Sequence, residues 1–170
     1  MLESGFDGLF FTADGPKEKM LDGGTLPHVV SAINFYDDPE QSFSQFASFR
    51  QNVPRMCGEY WTGWFDHWGF GHHTRDAQTV AKEIDWMLTR GISVNLYVFH
   101  GGTTFGFMNG ANVVNGQYRS DISSYDYDAP LDEAGRPTEK FFALRDVFKK
   151  YNQDVPSLPK PLPMIDLPEL

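Results

Sequence analysis

A single glutamate, Glu59, stands in the run Met56-Cys57-Gly58-Glu59-Tyr60-Trp61-Thr62-Gly63-Trp64-Phe65-Asp66-His67-Trp68-Gly69. Three of the four tryptophans fall within eight residues of this run. Aromatic rings present flat apolar faces with polar edges. Those surfaces suit the C–H faces and hydroxyl rims of a sugar ring, and a carboxylate set among them is the arrangement expected where a glycosidic bond is cut. The competing reading makes the tryptophans core and Glu59 a paired surface acid. A second cluster, Asp66, His67, His72 and His73, invites a metal reading. Its spacing fits no standard site, because there is no His-Glu-x-x-His and no cysteine partner. Asp66 and His67 read instead as buried hydrogen-bonding braces and His72-His73 as solvated. Neither a metal nor another cofactor is expected.

Composition narrows the partners. The net charge is −9 with a pI near 4.9, and Lys and Arg form no clustered patch. Nucleic acid and anionic membrane surfaces both call for a basic footprint, so a neutral substrate fits better. No stretch approaches the roughly 18 apolar residues of a membrane span. The lone cysteine, Cys57, rules out an internal disulfide and reads as a small buried side chain. One cysteine neither requires nor excludes export. The first dozen residues lack the positive n-region of a signal peptide, and no compartment is assigned.

The elements that must hold Glu59 alternate along the chain. Residues 8–12, 29–35, 53–59 and 93–99 read as strands. Residues 16–21 suit one helical turn. Asp38-Pro39-Glu40 is a helix start, with a capping Asp and Pro at the first helical position, and the helix should reach about Arg50 with Phe43, Phe46 and Phe49 on one side. Residues 74–90 carry Val80, Ile84, Met87 and Leu88 at helical spacing, with Gly91 as the stop. Residues 138–151 form the last helix, with Phe141, Leu144, Phe148 and Tyr151 as its stripe. Such alternation argues for parallel strands joined by crossovers. Polar and aromatic residues gather at the strand ends: Asp14, Asn34, Glu59, Tyr97 and His100. Four strand–helix units make half of a (β/α)8 TIM barrel, whose active face lies at those ends; an open parallel sheet is the alternative. Residues 100–137 are too long for an ordinary connector and read as a functional excursion. Residues 153–170 are proline-rich and read as a linker toward a downstream domain, which leaves 1–152 as the folded portion.

Several stretches together resemble the β-galactosidases of glycoside hydrolase family 35. They are residues 59–69, then Gly91-Ile92-Ser93-Val94-Asn95-Leu96-Tyr97-Val98-Phe99-His100-Gly101-Gly102-Thr103-Thr104-Phe105-Gly106, Asn109-Gly110-Ala111-Asn112, Ser124-Tyr125-Asp126-Tyr127-Asp128-Ala129-Pro130-Leu131, and Glu133-Ala134-Gly135 followed by Thr138-Glu139-Lys140. Leu9-Phe10-Phe11-Thr12-Ala13-Asp14-Gly15 resembles the family's fifth barrel strand. The motifs are long, occur in the family's order and reach to about Tyr151.

The resemblance implies an α/β fold comprising strands five to eight of a TIM barrel with their helices. It implies a retaining hydrolase that removes terminal β-D-galactosyl residues from an oligosaccharide or glycoconjugate. Glu59 takes the place of the nucleophile, and Tyr97 and Tyr127 those of residues lining the galactose subsite. Trp61 stands where the family often carries a sugar-contacting tyrosine; it can stack on a ring but lacks the phenol. His100 and Thr104 replace the commoner Ile and Asn. The family's acid/base glutamate follows strand four in an Asn-Glu motif, which this sequence does not contain. The expectation is a chain of little or no activity until it meets the missing N-terminal half barrel. A non-catalytic galactoside-binding module is the other reading, and a metal hydrolase built on Asp66 and the histidines is a third.

Overall fold

The computed structural model describes residues 4–152 and 154–158. Its centre is a four-stranded sheet, β1 (Phe11–Asp14), β2 (Val30–Phe35), β3 (Met56–Trp61) and β4 (Ser93–Tyr97), paired in that order and parallel throughout. The crossovers are α1 (Glu18–Gly24), α2 (Pro39–Phe49) and α3 (Ala77–Thr89), with α4 (Glu139–Tyr151) closing the series. Each helix packs on the next, α1 on α2, α2 on α3, α3 on α4. Strands added one after another on the same side, with one helical layer, are the winding of a barrel wall. A doubly wound sheet would reverse its strand order and carry helices on both faces.

Helix ends follow the local chemistry. The Asp38 carboxylate accepts from the Gln41 backbone N–H at 3.0 Å, and Pro39 occupies the first helical position. Asp76 caps α3 by accepting from the Thr79 N–H at 2.7 Å, so the helix begins at Ala77, three residues after the expected start. Leu21, Ile33, Phe35, Phe43, Phe46, Cys57, Tyr60, Val80, Ile84, Met87, Ile92 and Leu144 join into one core between sheet and helices. Each large apolar side chain buried there contributes roughly 1.5–3 kcal/mol.

The expected strands and helices form, with displaced ends. β1 begins at Phe11 rather than residue 8, because its partner strand begins only at Val30. β3 begins at Met56, after Pro54, which has no N–H to give a ladder. The buried stripe of α4 is Lys140, Leu144 and Val147; Phe141 and Phe148 are half-buried and Tyr151 is exposed. The face is turned by one residue because the Lys140 ammonium is drawn inward to Thr62 and Asp128. The excursion after β4 contains an antiparallel hairpin, β5 (Ala111–Val114) and β6 (Gln117–Ser120). Its two-residue turn is Asn115-Gly116, both at positive φ (51° and 77°). Asn-Gly between extended residues is a strong hairpin signal, and it was there to be read. Of the expected linker, residues 154–158 carry no strand or helix, and residues 153 and 159–170 lie outside the described residues.

Candidate active site

One irregularity in β3 aims the site. Cys57 and Tyr60 are three residues apart, yet both point into the helix-side core. Against β2, Ile33 pairs with Cys57 and Asn34 with Glu59; against β4, Cys57 pairs with Val94 and Tyr60 with Leu96. β3 therefore carries one extra residue relative to both neighbours, a β-bulge. Gly58 and Glu59 share the helix-free face, where a Cβ on Gly58 would lie 2.9 Å from Asn34 Oδ1. The normal two-residue period then brings Trp61 onto the same face as Glu59. Its indole Nε1 donates to Glu59 Oε2 at 2.9 Å. Trp61 thus supplies this carboxylate with a donor. Glu59 forms no ion pair among the described residues, which removes the paired surface acid.

Aromatic rings surround this carboxylate. Tyr97 pairs with Trp61 across β3 and β4. Its hydroxyl lies 3.3 Å from that of Tyr125, and its ring stands edge-on to Tyr127 at 5.9 Å. Tyr125 stacks on Tyr127 at 5.3 Å and on Phe65 at 5.9 Å. Trp64 meets Trp61 at 5.2 Å, Phe65 at 5.0 Å and Tyr127 at 6.1 Å. Burial pushes the phenols of Tyr125 and Tyr127 well above the ordinary tyrosine value, and the neighbouring tyrosines and Glu59 act in the same sense. Both remain protonated donors at neutral pH. Glu59, Trp61, Tyr97 and Tyr127, singled out in the sequence, are therefore brought together, and Tyr125, Trp64 and Phe65 join them.

The loop that carries Tyr125 and Tyr127 is pressed against the strand ends. A Cβ on Gly63 would lie 1.8 Å from the Tyr127 carbonyl, and one on Gly101 would lie 1.7 Å from that of Tyr125. Only glycine permits either approach. Asp128 Oδ2 accepts from the Arg75 backbone N–H at 2.6 Å and from Lys140 Nζ at 2.7 Å. Arg75 in turn donates to the Trp61 carbonyl at 2.9 Å and to Glu83 at 2.7 Å, and its guanidinium lies over the rings of Tyr36 and Tyr60. Tyr60 donates to the same Glu83 oxygen at 2.7 Å. Arg75, Glu83 and Lys140 escaped sequence reading, because each is a charged residue on an otherwise amphipathic stretch and looks solvated.

Other expected positions divide. Asn34 faces the site beside Glu59, with Oδ1 buried and unpartnered. Asn95 Nδ2 donates to the Gly58 carbonyl at 3.0 Å and so holds the bulge. Asp14 turns away: its carboxylate packs where a side chain on Gly24 of α1 would stand. His100 is exposed and bonds to the Glu133 carbonyl. His67 is buried, 2.9 Å from Asn112 and 3.1 Å from Asp121, and ties the hairpin down. Asp66 bonds His72 and His73, both about half exposed. Among the described residues no group of three or more His, Cys, Asp or Glu is arranged to hold a metal ion.

The sequence model of glycosyl hydrolases family 35 matches residues 3–151. A β-galactosidase of Xanthomonas manihotis is 47% identical over 173 residues, covering 98% of this chain and 29% of the relative. A β-galactosidase of Mus musculus is 43% identical over 159 residues, covering 92% and 24%. The β-galactosidase-1-like protein 3 of Homo sapiens is 40% identical over 161 residues, covering 94% and 24%. The chain thus spans 24–29% of the length of these relatives.

Proposed function

This chain belongs to glycosyl hydrolases family 35, and from that premise we propose that it supplies the nucleophile side of a retaining β-galactosidase site. The sheet β1–β4 corresponds to strands five to eight of the family's TIM barrel, and residues 1–152 are the C-terminal half of the catalytic barrel. The substrate is a terminal β-D-galactosyl residue on an oligosaccharide or glycoconjugate.

In this reading the Glu59 carboxylate attacks the anomeric carbon. The glycosidic oxygen leaves with a proton from a second carboxyl group, and a galactosyl ester forms on Glu59. The second group then takes a proton from water, which cleaves the ester and releases galactose. That partner is held about 5–5.5 Å from the nucleophile in retaining enzymes, and it comes from the N-terminal half barrel. The indole of Trp61 holds Oε2 and leaves Oε1 to attack. The tyrosine phenols offer donors to sugar hydroxyls, and the rings of Trp61 and Trp64 offer an apolar face.

The observation that carries the reading is the Glu59 carboxylate, unpaired with any cation among the described residues, on the helix-free face within a ring of aromatic donors. The test is a chimera in which this chain replaces its matching stretch in the bacterial relative. It should hydrolyse an aryl β-galactoside, while Glu59→Gln should abolish turnover by more than about a thousandfold. The isolated chain should bind galactose weakly and turn over little, because general acid–base catalysis alone is worth roughly 10²–10⁴-fold. Full activity from the isolated chain contradicts the division of labour; galactose binding without turnover in the chimera favours a binding module.

A further inference from the structure

Lys140 is 3% exposed, and each of its three donors is used. Nζ donates to the Thr62 carbonyl at 2.8 Å, to Asp128 Oδ2 at 2.7 Å and to the Asp128 carbonyl. A buried ammonium is expensive, and an apolar side chain of similar volume often serves stability equally well. Burial does hold Lys140 below the ordinary lysine range, with Asp128 acting against that. What the ammonium does that a methionine would not is bind three particular acceptors. One belongs to the residue that follows Trp61. The other two belong to the residue that follows Tyr127.

Those acceptors lie where the backbone is least ordinary. Tyr127 and Asp128 are both left-handed, at φ 64° and 48°. Non-glycine residues in such conformations store roughly 1–3 kcal/mol and persist only where the surroundings over-determine them. Here Gly63 leaves room for the Tyr127 carbonyl on one side and Lys140 grips Asp128 on the other. We propose that Lys140 is a positioning residue, which sets the Tyr127 ring against Glu59 by tying Asp128 to the end of β3. The role rests on the functional reading above only for its catalytic consequence, since the geometry it controls exists in the free chain. It also accounts for the one-residue rotation of the buried face of α4.

The test uses the chain labelled with fluorotyrosine. Fluorine NMR reads Tyr127 and Tyr125, assigned by Tyr127→Phe and Tyr125→Phe, with Tyr151, bonded to Asp85 at the far end of α4, as internal reference. Lys140→Met is expected to displace and broaden the Tyr127 and Tyr125 resonances while the Tyr151 resonance holds. Asp128→Asn keeps the loop's shape and removes the charge that Lys140 grips. It should displace the same two resonances less strongly, and it decides the matter should Lys140→Met fail to fold. Unmoved Tyr127 and Tyr125 resonances in a folded variant overturn the proposal. So does a displacement shared equally by Tyr151, which marks general loosening. A chimera in which Glu59→Gln leaves turnover intact would remove the functional reading and leave this result standing on its own.

Discussion

The indole N–H of Trp61 donates to Oε2 of Glu59 across 2.9 Å, two residues along one strand. The pairing exists because β3 gains a residue at Gly58, which turns Glu59 away from the helix-side core. Removing the donor while keeping a ring should leave the carboxylate less well aimed. Hydrogen bonds to charged groups are worth about 1.5–3 kcal/mol, so Trp61→Phe in the chimera should lower kcat/KM roughly 10–100-fold. Unchanged steady-state kinetics would show that the indole only packs.

The approach of the tyrosine loop to β3 is set by a missing side chain. A methyl at Gly63 would meet the Tyr127 carbonyl at 1.8 Å. Gly63→Ala must push the loop outward, and overpacking of this kind typically costs about 1–3 kcal/mol. Urea unfolding should show that loss, and activity in the chimera should fall further than stability alone explains. Gly71, where a Cβ meets nothing within 4 Å, is the control.

Protonation of His72 should stabilise the loop ahead of α3. The hydrogen bond to Asp66 raises the His72 pKa above its ordinary 6.5, against some desolvation, and Asp126 and Asp128 add to the rise. A raised folded value means that this stability is complete below about pH 6.5 and is lost as pH climbs through the folded value. Burial tends to raise the Asp66 pKa, but its bonds to His72 and His73 prevail and lower it below 3.8. That contribution is present above about pH 4 and is lost as pH falls through the lowered value. The difference in Tm between the wild type and His72→Gln should therefore be largest near pH 5 to 6 and shrink above pH 7. His72 is half exposed, so the effect should be small and should weaken with salt. A difference that grows with pH would contradict this assignment.

The sheet has two open edges. Among the described residues β1 and β4 each pair on one side only, and Leu9 just before β1 and Phe11 at its start are exposed at 78% and 51%. Unpaired edges with apolar flanks invite pairing with other chains. Sedimentation of the isolated chain should show concentration-dependent association, and Leu9→Lys with Phe11→Lys should reduce it. A monomer at all concentrations would show that these edges are protected.

Much of this was legible in the sequence. Apolar stripes located α2, α3 and α4 and apolar runs the strands β1 to β4, because a single helical layer leaves one clean apolar face per helix, whereas α1 showed only as a turn between Pro16 and the Gly23-Gly24 pair. The aromatic run around Glu59 and the motif stretches pointed to the residues that the fold assembles. Strand limits were less legible, since a strand ends where its neighbour does, as Phe11 does opposite Val30. The bulge was hidden, because Gly58 reveals its role only through the register of two other strands. Lys140, Arg75 and Glu83 were hidden for a different reason. Lys140 finds Thr62 across 78 residues and the Arg75 N–H finds Asp128 across 53, while the pair of Arg75 and Glu83, eight residues apart, joins a loop to a helix at a spacing that no periodic pattern marks. The Asn115-Gly116 turn was visible locally and shows a hairpin inside what reads as an unbroken excursion.

The central claim is that Glu59 is the attacking carboxylate. A galactosyl fluoride fluorinated beside the anomeric carbon tests it directly, because its leaving group needs no proton and the intermediate it forms is long-lived. Peptide mass spectrometry of the treated chimera should find one galactosyl adduct, on Glu59, and none in Glu59→Gln. An adduct on any other carboxylate, or undiminished labelling of Glu59→Gln, would contradict the account.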